Sequence, residues 1–439
     1  MIFWTIQRYW PMASNNTVRE YGTPHLRLFK RCHPGIQSFF RSTLGIKILL
    51  LLRDGPLSPH RLCTAAGNTM PAVVSKLNIF VNEGLIERCQ DQYALSNAAR
   101  IITPHLIDVI AAVRSEENHV PGTGRETLEK KSSQHLIDRF IENQKAIRTV
   151  FRSGIVAGIL LELNEGQKNR PRLHRVSGCT SNALTPRIRW LERMGWVTER
   201  RHTYRLTQTG SGVAATMEEF VVTFATATRH GDFWNTHSLE RFPGFALHTI
   251  GDLVEAEIIS DEPTSFFLNY ERYLDLLADA DYIHGFTSMA NPGFADAIGA
   301  RVMAGVPVEI VVSPDLAYHL HQEPYQEKVA SLYRFRNLQF RVTELPLPMG
   351  LTVTERCLSS KLFLRDEMVF DTQNGLVCSS PEAHAWGERL FEYYKRHSIP
   401  MQEYILSKAF EHENSELKAP DTPEDGGEVP EAHTPLPAE

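Results

Sequence analysis

Apolar positions in the first half of the chain recur, without gaps, at an offset of 111 residues. Leu50 matches Leu161 and Leu77 matches Ile188, and the turn residues between them recur as well. The recurring pairs also include Phe40 with Phe151, Gly55 with Gly166, Gly67 with Gly178, Gly84 with Gly195, and Tyr93 with Tyr204. Two copies of one small module are therefore predicted in this half.

Within the second copy, apolar residues have helical spacing, and turn residues follow each run. The pattern predicts helices over residues 151–163, 170–176 and 182–194, then short strands over 196–200 and 204–206. Alternatively, the third helix begins at Pro186, with Thr185 as its N-cap, because proline favours the first position of a helix. Three helices followed by a two-stranded wing form a winged helix, which places its third helix in the major groove of DNA.

The second half alternates buried-looking strands with amphipathic helices. Strands are predicted over residues 282–287, 308–312 and 338–342, with helices over 270–281, 294–304 and 315–335. This βαβαβ order implies parallel strands with right-handed crossovers. Three segments of period two follow at residues 351–355, 362–365 and 368–371, then a hairpin turn at Asn374-Gly375 and a closing helix over 381–396.

These patterns predict a multidomain protein of α+β and α/β class. Tandem winged helix-turn-helix domains are expected at residues 36–113 and 135–232, with a linker at 114–134 and an α/β domain at 240–410. Residues 411–439 are rich in Glu, Pro and Ala, so we expect a disordered acidic tail there.

Composition excludes several classes of protein. The net charge of −6 excludes a uniformly basic nucleic-acid binder but allows a basic patch. The six cysteines form no CxxC pair, which is typical of a reducing cytosol and argues against a zinc ribbon or a disulfide scaffold. No apolar run approaches the roughly 18–20 residues of a membrane span. Residues 1–10 are apolar but short, so we interpret them as a loose arm or a misassigned start codon rather than a signal peptide. We therefore expect a cytoplasmic protein without a cofactor or a membrane partner.

Charge distinguishes the two copies. Residues 168–205 contain ten basic and two acidic side chains, a net charge of +8, whereas the matching residues 57–94 are balanced at zero. Because phosphate neutralisation supplies much of the affinity for duplex DNA, the second copy is predicted to bind double-stranded DNA. The first copy is expected to touch DNA weakly or to form a protein-contact surface. The candidate DNA-binding residues are Arg175, Thr180, Ser181, Asn182, Arg187, Arg189, Arg193, Arg200, Arg201, His202 and, in the first copy, Lys76.

Three stretches of the second half carry a family resemblance. They are Ile250-Gly251-Asp252-Leu253, Ala304-Gly305-Val306-Pro307-Val308, and the segment from Trp386 to Tyr394, which is the most specific. Residues 251–396 resemble the archaeal regulators related to the methanogenesis regulatory protein. The resemblance implies a winged helix ahead of an effector domain similar in layout to phospholipase D. The chain departs from that pattern by having two winged helices.

The chemistry of phospholipase D is not expected here. That reaction needs a His nucleophile followed by Lys two residues later, and none of the eighteen His residues has Lys at that position. We therefore predict a protein that is not an enzyme. His319 and His321 are two positions apart and do not share a helix face, so no metal site is expected from them.

Polar residues at the carboxyl ends of the predicted strands suggest a pocket for a small-molecule effector. Open α/β sheets bind ligands at that edge, although helix capping explains some of the same residues. The candidates are His284, Thr287, Ser288, Asn291 and Ser313.

The leading hypothesis is a DNA-binding transcription regulator of a methanogen-like archaeon. It would act as a homodimer, with a C-terminal domain for ligand sensing or dimerisation. The alternatives are an assembly adaptor that uses winged helices for protein contacts, and a phosphodiesterase-like enzyme, which the missing His-x-Lys motif disfavours.

Overall fold

The structure is a computed structural model that describes residues 22–113, 131–261, 267–366 and 369–416. The N-terminal arm, most of the predicted linker and most of the predicted tail lie outside these residues. Residues 411–416 were expected in the tail but belong to the final helix, Met401–Glu416, so that boundary is wrong.

The first module is a set of short helices followed by a hairpin. Ser42, Ser58 and Ser96 each accept a hydrogen bond from the backbone N–H three residues later, so three of the helices begin at a capping serine. The elements are α1 (Pro24–Phe39), α2 (Thr43–Leu52), α3 (Pro59–Ala66), α4 (Met70–Asn82), β1 (Ile86–Cys89), β2 (Gln92–Leu95) and α5 (Asn97–Ala112).

The second module repeats this order. Its elements are α6 (Ser133–Arg152), α7 (Gly154–Asn164), β3 (Lys168–Asn169), α8 (Arg170–Ser177), α9 (Ser181–Arg193), β4 (Val197–Arg200), β5 (Thr203–Leu206) and α10 (Gln208–Arg229). Lys168 pairs with Tyr204 in a third strand, and the equivalent residues of the first module, Leu57 and Tyr93, form a bridge. The duplication therefore extends to the strand pairing.

Two details of the second module differ from the sequence prediction. The expected helix over 151–163 is divided, because Ser153 ends α6 and its hydroxyl caps α7. Helix α9 begins at Ser181 after Thr180, so the alternative start at Thr185 is wrong and Pro186 lies inside the helix. Because proline has no N–H, position 186 cannot donate the usual helical hydrogen bond to the carbonyl of Asn182, four residues earlier.

The two modules share one hydrophobic core. Phe40 and Phe151, which are equivalent residues of the repeat, stack with ring centroids 4.5 Å apart. Phe220 of α10 packs against both rings, at 5.3 and 5.0 Å. The modules thus contact each other through matching positions. Among the described residues no single helix is long and apolar enough to cross a membrane, and α1 with α2 passes that test only jointly, across a bend of 88°.

The C-terminal half is an eight-stranded mixed sheet with helices on both faces. Its helices are α11 (Gly231–Thr236), α12 (Gly244–His248), α13 (Leu268–Ala278), α14 (Pro292–Met303), α15 (Pro314–Leu320), α16 (Gln326–Leu332), α17 (Pro381–Arg396) and α18 (Met401–Glu416). Its strands are β6 (Glu257–Ser260), β7 (Ile283–Thr287), β8 (Val308–Val312), β9 (Leu338–Val342), β10 (Met349–Val353), β11 (Leu358–Leu362), β12 (Asn374–Cys378) and β13 (Ile399–Pro400).

The strand order is β13-β9-β8-β7-β10-β11-β12-β6. Strands β7, β8 and β9 are parallel, as the alternation of strands and helices predicts, and the other neighbours are antiparallel. The single helix expected over 315–335 is two helices, α15 and α16. Asn374-Gly375 begins β12 instead of turning a hairpin, because these residues pair with Ser260 and Ile259 of β6.

Candidate DNA-binding surface and effector cavity

Helix α9 buries one face in the second module and exposes arginines on the other. Leu184, Ile188 and Leu191 are at most 3% exposed and lie at helical spacing, so they fix which side of α9 faces outward. The exposed side carries Arg187, Arg189 and Arg193. A groove along this side is lined by Asn182, Thr185, Pro186, Arg189, Glu192 and Arg193.

The start of α9 also offers polar groups. Thr180 is the N-cap residue, but its side chain makes no capping hydrogen bond. Thr180, Ser181 and Asn182 are all exposed. Helix N-termini attract phosphate through their backbone N–H groups and dipole, so hydroxyl and amide side chains here suit a contact to the DNA backbone. Arg175 is exposed on the preceding helix α8.

The wing presents a strained turn with exposed charge. Arg201 and His202 connect β4 and β5, and both have positive φ, 50° and 61°. Two-residue hairpin turns of this type favour Asn-Gly, because a side chain at positive φ costs energy. Arg200, Arg201 and His202 are exposed, and the His202 side chain is completely so. Strain of this kind concentrates at functional positions.

Not every basic residue of the second module faces solvent. Arg172 forms an ion pair of 2.6 Å with Glu162, whose side chain is fully buried. Arg170 donates a hydrogen bond to the Thr185 hydroxyl and so joins α8 to α9. Because Arg172 neutralises a carboxylate outside residues 168–205, the surface that DNA would meet is slightly less basic than the count of +8.

The equivalent helix of the first module has a different surface. Lys76, the predicted weak DNA contact, is half-buried, with its ammonium 4.1 Å from the centre of the Phe80 ring. Burial lowers the pKa of Lys76. The exposed positions of α4 include Met70, Val74 and Ile79, each about two-fifths exposed. An apolar surface with an inward-packed lysine suits phosphate binding poorly.

The C-terminal domain contains a cavity of about 150 Å³ beside β7 and β8. Its lining is mostly apolar and aromatic, and includes Tyr273, Phe294, Tyr325, Phe340 and Phe370. Polar groups come mainly from the antiparallel strands, where Thr352, Ser359, Ser360 and Lys361 line one side. A mostly apolar cavity with few polar groups is typical of a small-molecule site.

The Lys361 ammonium is the principal charged group on that side. Its Nζ donates a hydrogen bond to the main-chain oxygen of Thr372 at 3.1 Å. Burial lowers the pKa of Lys361, and the negative charges of Asp261 and Asp371 oppose that shift. Within the described residues, Lys361 forms no ion pair shorter than 4 Å, which leaves ammonium protons for an anionic group.

The structure brings only two of the five predicted pocket residues to this cavity. Thr287 and Asn291 line it, although the Asn291 side chain also caps α14 by accepting from Gly293 and Phe294 N–H groups. His284 and Ser313 do not line it. His284 stacks on the Phe391 ring at 4.7 Å and contacts Glu388 at 3.0 Å.

Ser313 and Ser288, the other two candidates from the sequence, do not line the cavity either. Ser313 caps α15 by accepting a hydrogen bond from the Leu316 N–H. Ser288 follows β7 but is absent from the cavity lining. Lys361 and the serines of β11 were missed, because the sequence does not reveal that β10 and β11 continue the sheet next to β7.

Comparisons with known proteins match both halves of the chain. Residues 34–114 match the model of the methanogenesis regulatory protein FilR1, N-terminal domain, and residues 267–397 match the model of its middle domain. The methanogenesis regulatory protein FilR1 of Methanothrix harundinacea (strain 6Ac) is 25% identical over 269 residues, covering 61% of this chain and 60% of that protein. The chain is a relative of the FilR1 regulators. The resemblance deduced from the sequence is thereby confirmed.

The second module of this FilR1 relative matches a different model. Residues 144–229 match the HVO_A0261 N-terminal domain. Among solved structures, the archaeal chromatin protein TrmBL2 is 14% identical, covers 56% of this chain and 93% of its own, and has a TM-score of 0.27. The phospholipase D family member Nuc from Salmonella typhimurium is 11% identical, covers 33% and 96%, and has a TM-score of 0.26. Both TM-scores are too low to establish a shared fold.

Proposed function

We propose that this chain is a DNA-binding transcription regulator whose second module reads duplex DNA. The observation that carries the proposal is the exposed arginine surface of α9, with the charged wing beside it. The FilR1 protein of Methanothrix harundinacea is named a regulatory protein, which supports the same class of function for this chain. Phosphate contacts from Arg187 and Arg189 supply affinity, and the groove between Asn182 and Arg193 presents side chains to base edges.

A salt titration tests this proposal. Binding of the full chain to duplexes of about 30 base pairs, which hold two half-sites, is followed by fluorescence anisotropy. Loss of two phosphate contacts in Arg187→Ala with Arg189→Ala lowers the slope of log affinity against log salt by about 1.8. The matched control, Arg100→Ala with Arg336→Ala, removes the same charge from exposed positions elsewhere and leaves the slope unchanged.

The alternative of an assembly adaptor is favoured only by the apolar surface of α4. It predicts no affinity for duplex DNA at physiological salt, so the same titration separates the two functions. The expected homodimer belongs to this proposal and is tested by light scattering of the full chain with and without DNA.

We further propose that the C-terminal half is an effector domain for a compact, mostly apolar anion. The volume near 150 Å³ resembles that of an engineered apolar cavity that admits benzene. The aromatic lining would hold the apolar body, and Lys361 would bind the charged group. Phosphodiesterase chemistry is not part of the proposal, since the chain has no His-x-Lys motif.

Thermal unfolding with two probe molecules tests the cavity. Benzoate is expected to raise the unfolding temperature of the wild type but not of Lys361→Met, which keeps the apolar stem and loses the charge. Toluene, the uncharged control, is expected to stabilise both proteins equally. An equal shift by benzoate in both proteins would exclude the role of Lys361, and no shift by either probe would exclude the cavity.

A further inference from the structure

Four side chains with metal-binding groups meet where three helices approach one another. His105 and Asp108 lie on α5, Glu219 lies on α10, and His248 ends α12. One potential ligand atom from each lies within 4.8 Å of all the others. None of them was a candidate from the sequence, because the residues are separated by up to 143 positions.

The hydrogen bond of His105 fixes which of its nitrogens faces the cluster. Its Nε2 lies 2.9 Å from the main-chain oxygen of His248. A carbonyl oxygen only accepts, so Nε2 carries the proton, and in the neutral ring Nδ1 then holds the lone pair. That Nδ1 lies on the side of the Asp108 carboxylate. Metal-binding histidines are held in this way by a carbonyl partner on the other ring nitrogen.

The distances within the cluster suit a shared ion better than direct hydrogen bonds. His105 Nδ1 and His248 Nε2 lie 3.9 and 3.8 Å from Asp108 Oδ2. Both distances exceed hydrogen-bond length. Two ligands of a tetrahedral zinc ion, at bond lengths of about 2.0–2.1 Å, are separated by roughly 3.3–3.4 Å. A contraction of about half an ångström would therefore bring these atoms into coordination distance.

Charge and access are also consistent with a divalent cation. The two imidazole rings stack with centroids 4.4 Å apart, so protonating both would place two positive charges in contact. With both imidazoles neutral, the four side chains together contribute a charge of −2, a value that suits a divalent cation. His105 and Asp108 are buried, whereas Glu219 is exposed and gives the ion a path from solvent.

We propose that His105, Asp108, Glu219 and His248 form a binding site for one divalent transition-metal ion, best matched by Zn²⁺. Imidazole ligands favour zinc and its neighbours over magnesium or calcium, and zinc accepts four nitrogen and oxygen ligands. The ion would join the trailing helices of both modules to the segment that enters the C-terminal sheet. It would therefore stabilise the junction between the DNA-binding half and the effector half.

Metal titration of the full chain tests the site. The protein is prepared without a polyhistidine tag, treated with a chelator and titrated with Zn²⁺ by calorimetry. We expect about one ion per chain, and at least a tenfold loss of affinity in Asp108→Asn and in Glu219→Gln. Because Glu219 is exposed, its variant keeps the fold even where the buried Asp108 variant does not.

A spectroscopic measurement and a control residue make the result specific. Co²⁺ in this site gives a visible spectrum of nitrogen and oxygen ligands without a thiolate charge-transfer band, which separates it from binding at the six cysteines. His230→Gln, which changes another histidine bonded to a main-chain oxygen, leaves binding unchanged. No saturable binding of Zn²⁺, a thiolate band, or unchanged binding in Glu219→Gln would each overturn the proposal.

Discussion

One double substitution is expected to change the stability of the wing turn and its proposed contact with DNA in opposite directions. Arg201 and His202 both hold positive φ, which costs a side chain about 1 kcal/mol or more per residue. Arg201→Asn with His202→Gly introduces the pair that this turn favours. Allowing for the larger unfolded-state entropy of glycine, we expect the hairpin to gain about 1 kcal/mol.

The same change removes exposed positive charge from the wing. Loss of one phosphate contact, that of Arg201, lowers the salt slope by about 0.9 and the affinity by roughly fivefold at about 0.15 M salt. The effect on DNA is therefore opposite in sign to the effect on stability. Substitution of a surface residue that does not contact DNA and has negative φ would change neither the affinity for DNA nor the stability of the hairpin.

Hydrogen exchange and anisotropy measure the two effects separately. A gain of about 1 kcal/mol slows amide exchange in residues 197–206 by roughly fivefold. Gln90→Gly is the matched control, because Gln90 has a φ of 55° in the equivalent turn of the first module. It is expected to slow exchange there without changing DNA affinity. Unchanged exchange in the double variant would refute the strain argument, and unchanged affinity would refute the wing contact.

Two further predictions concern stability. A Cβ on Gly210 would overlap the main-chain oxygen of Trp196, so Gly210→Ala is expected to destabilise the second module by about 3 kcal/mol in urea unfolding. A Cβ on Gly212 meets open space, so Gly212→Ala is expected to be neutral or up to about 1 kcal/mol stabilising. Burial alone would raise the pKa of Asp371, but hydrogen bonds from His237 and Asn374 outweigh it and hold that pKa well below its usual range. Since a depressed carboxyl pKa contributes stability above the unfolded value near 4 and loses it as pH falls, the unfolding free energy should decline below about pH 4, and Asp371→Asn should flatten that decline.

The sequence predicted the modules well because their signals are local. Gly84 and Gly195 end their helices at φ of 66° and 68°, as C-cap glycines do. The apolar spacing of Leu184, Ile188 and Leu191 fixes the exposed face of α9, so the arginine surface followed from the same pattern. The structural role of Arg172 could not be predicted from that pattern, because its partner Glu162 lies on a different helix and outside the basic segment.

The cavity that we propose as an effector site was predicted only in part, for a topological reason. Thr287 and Asn291 follow β7 at the edge where parallel sheets bind ligands, so the general rule located them. Lys361 lies on β11, which is separated from β7 by β10 and joins the sheet through antiparallel pairing. Strand order depends on pairings between distant segments, and period-two patterns carry no information on which strands are neighbours.

The contact between Phe40 and Phe151 bears on how many chains an operator would bind. In a two-fold dimer, residues near the axis contact their own copies, and here the equivalent residues of the repeat do so within one chain. One chain therefore already holds a paired set of two modules. Of the two equivalent helices only α9 is strongly basic, since its exposed Arg187, Arg189 and Arg193 are matched in α4 by Lys76, Asn78 and Asn82. A chain with one basic recognition helix reads one half-site, so a palindromic operator would still require two chains despite the internal duplication.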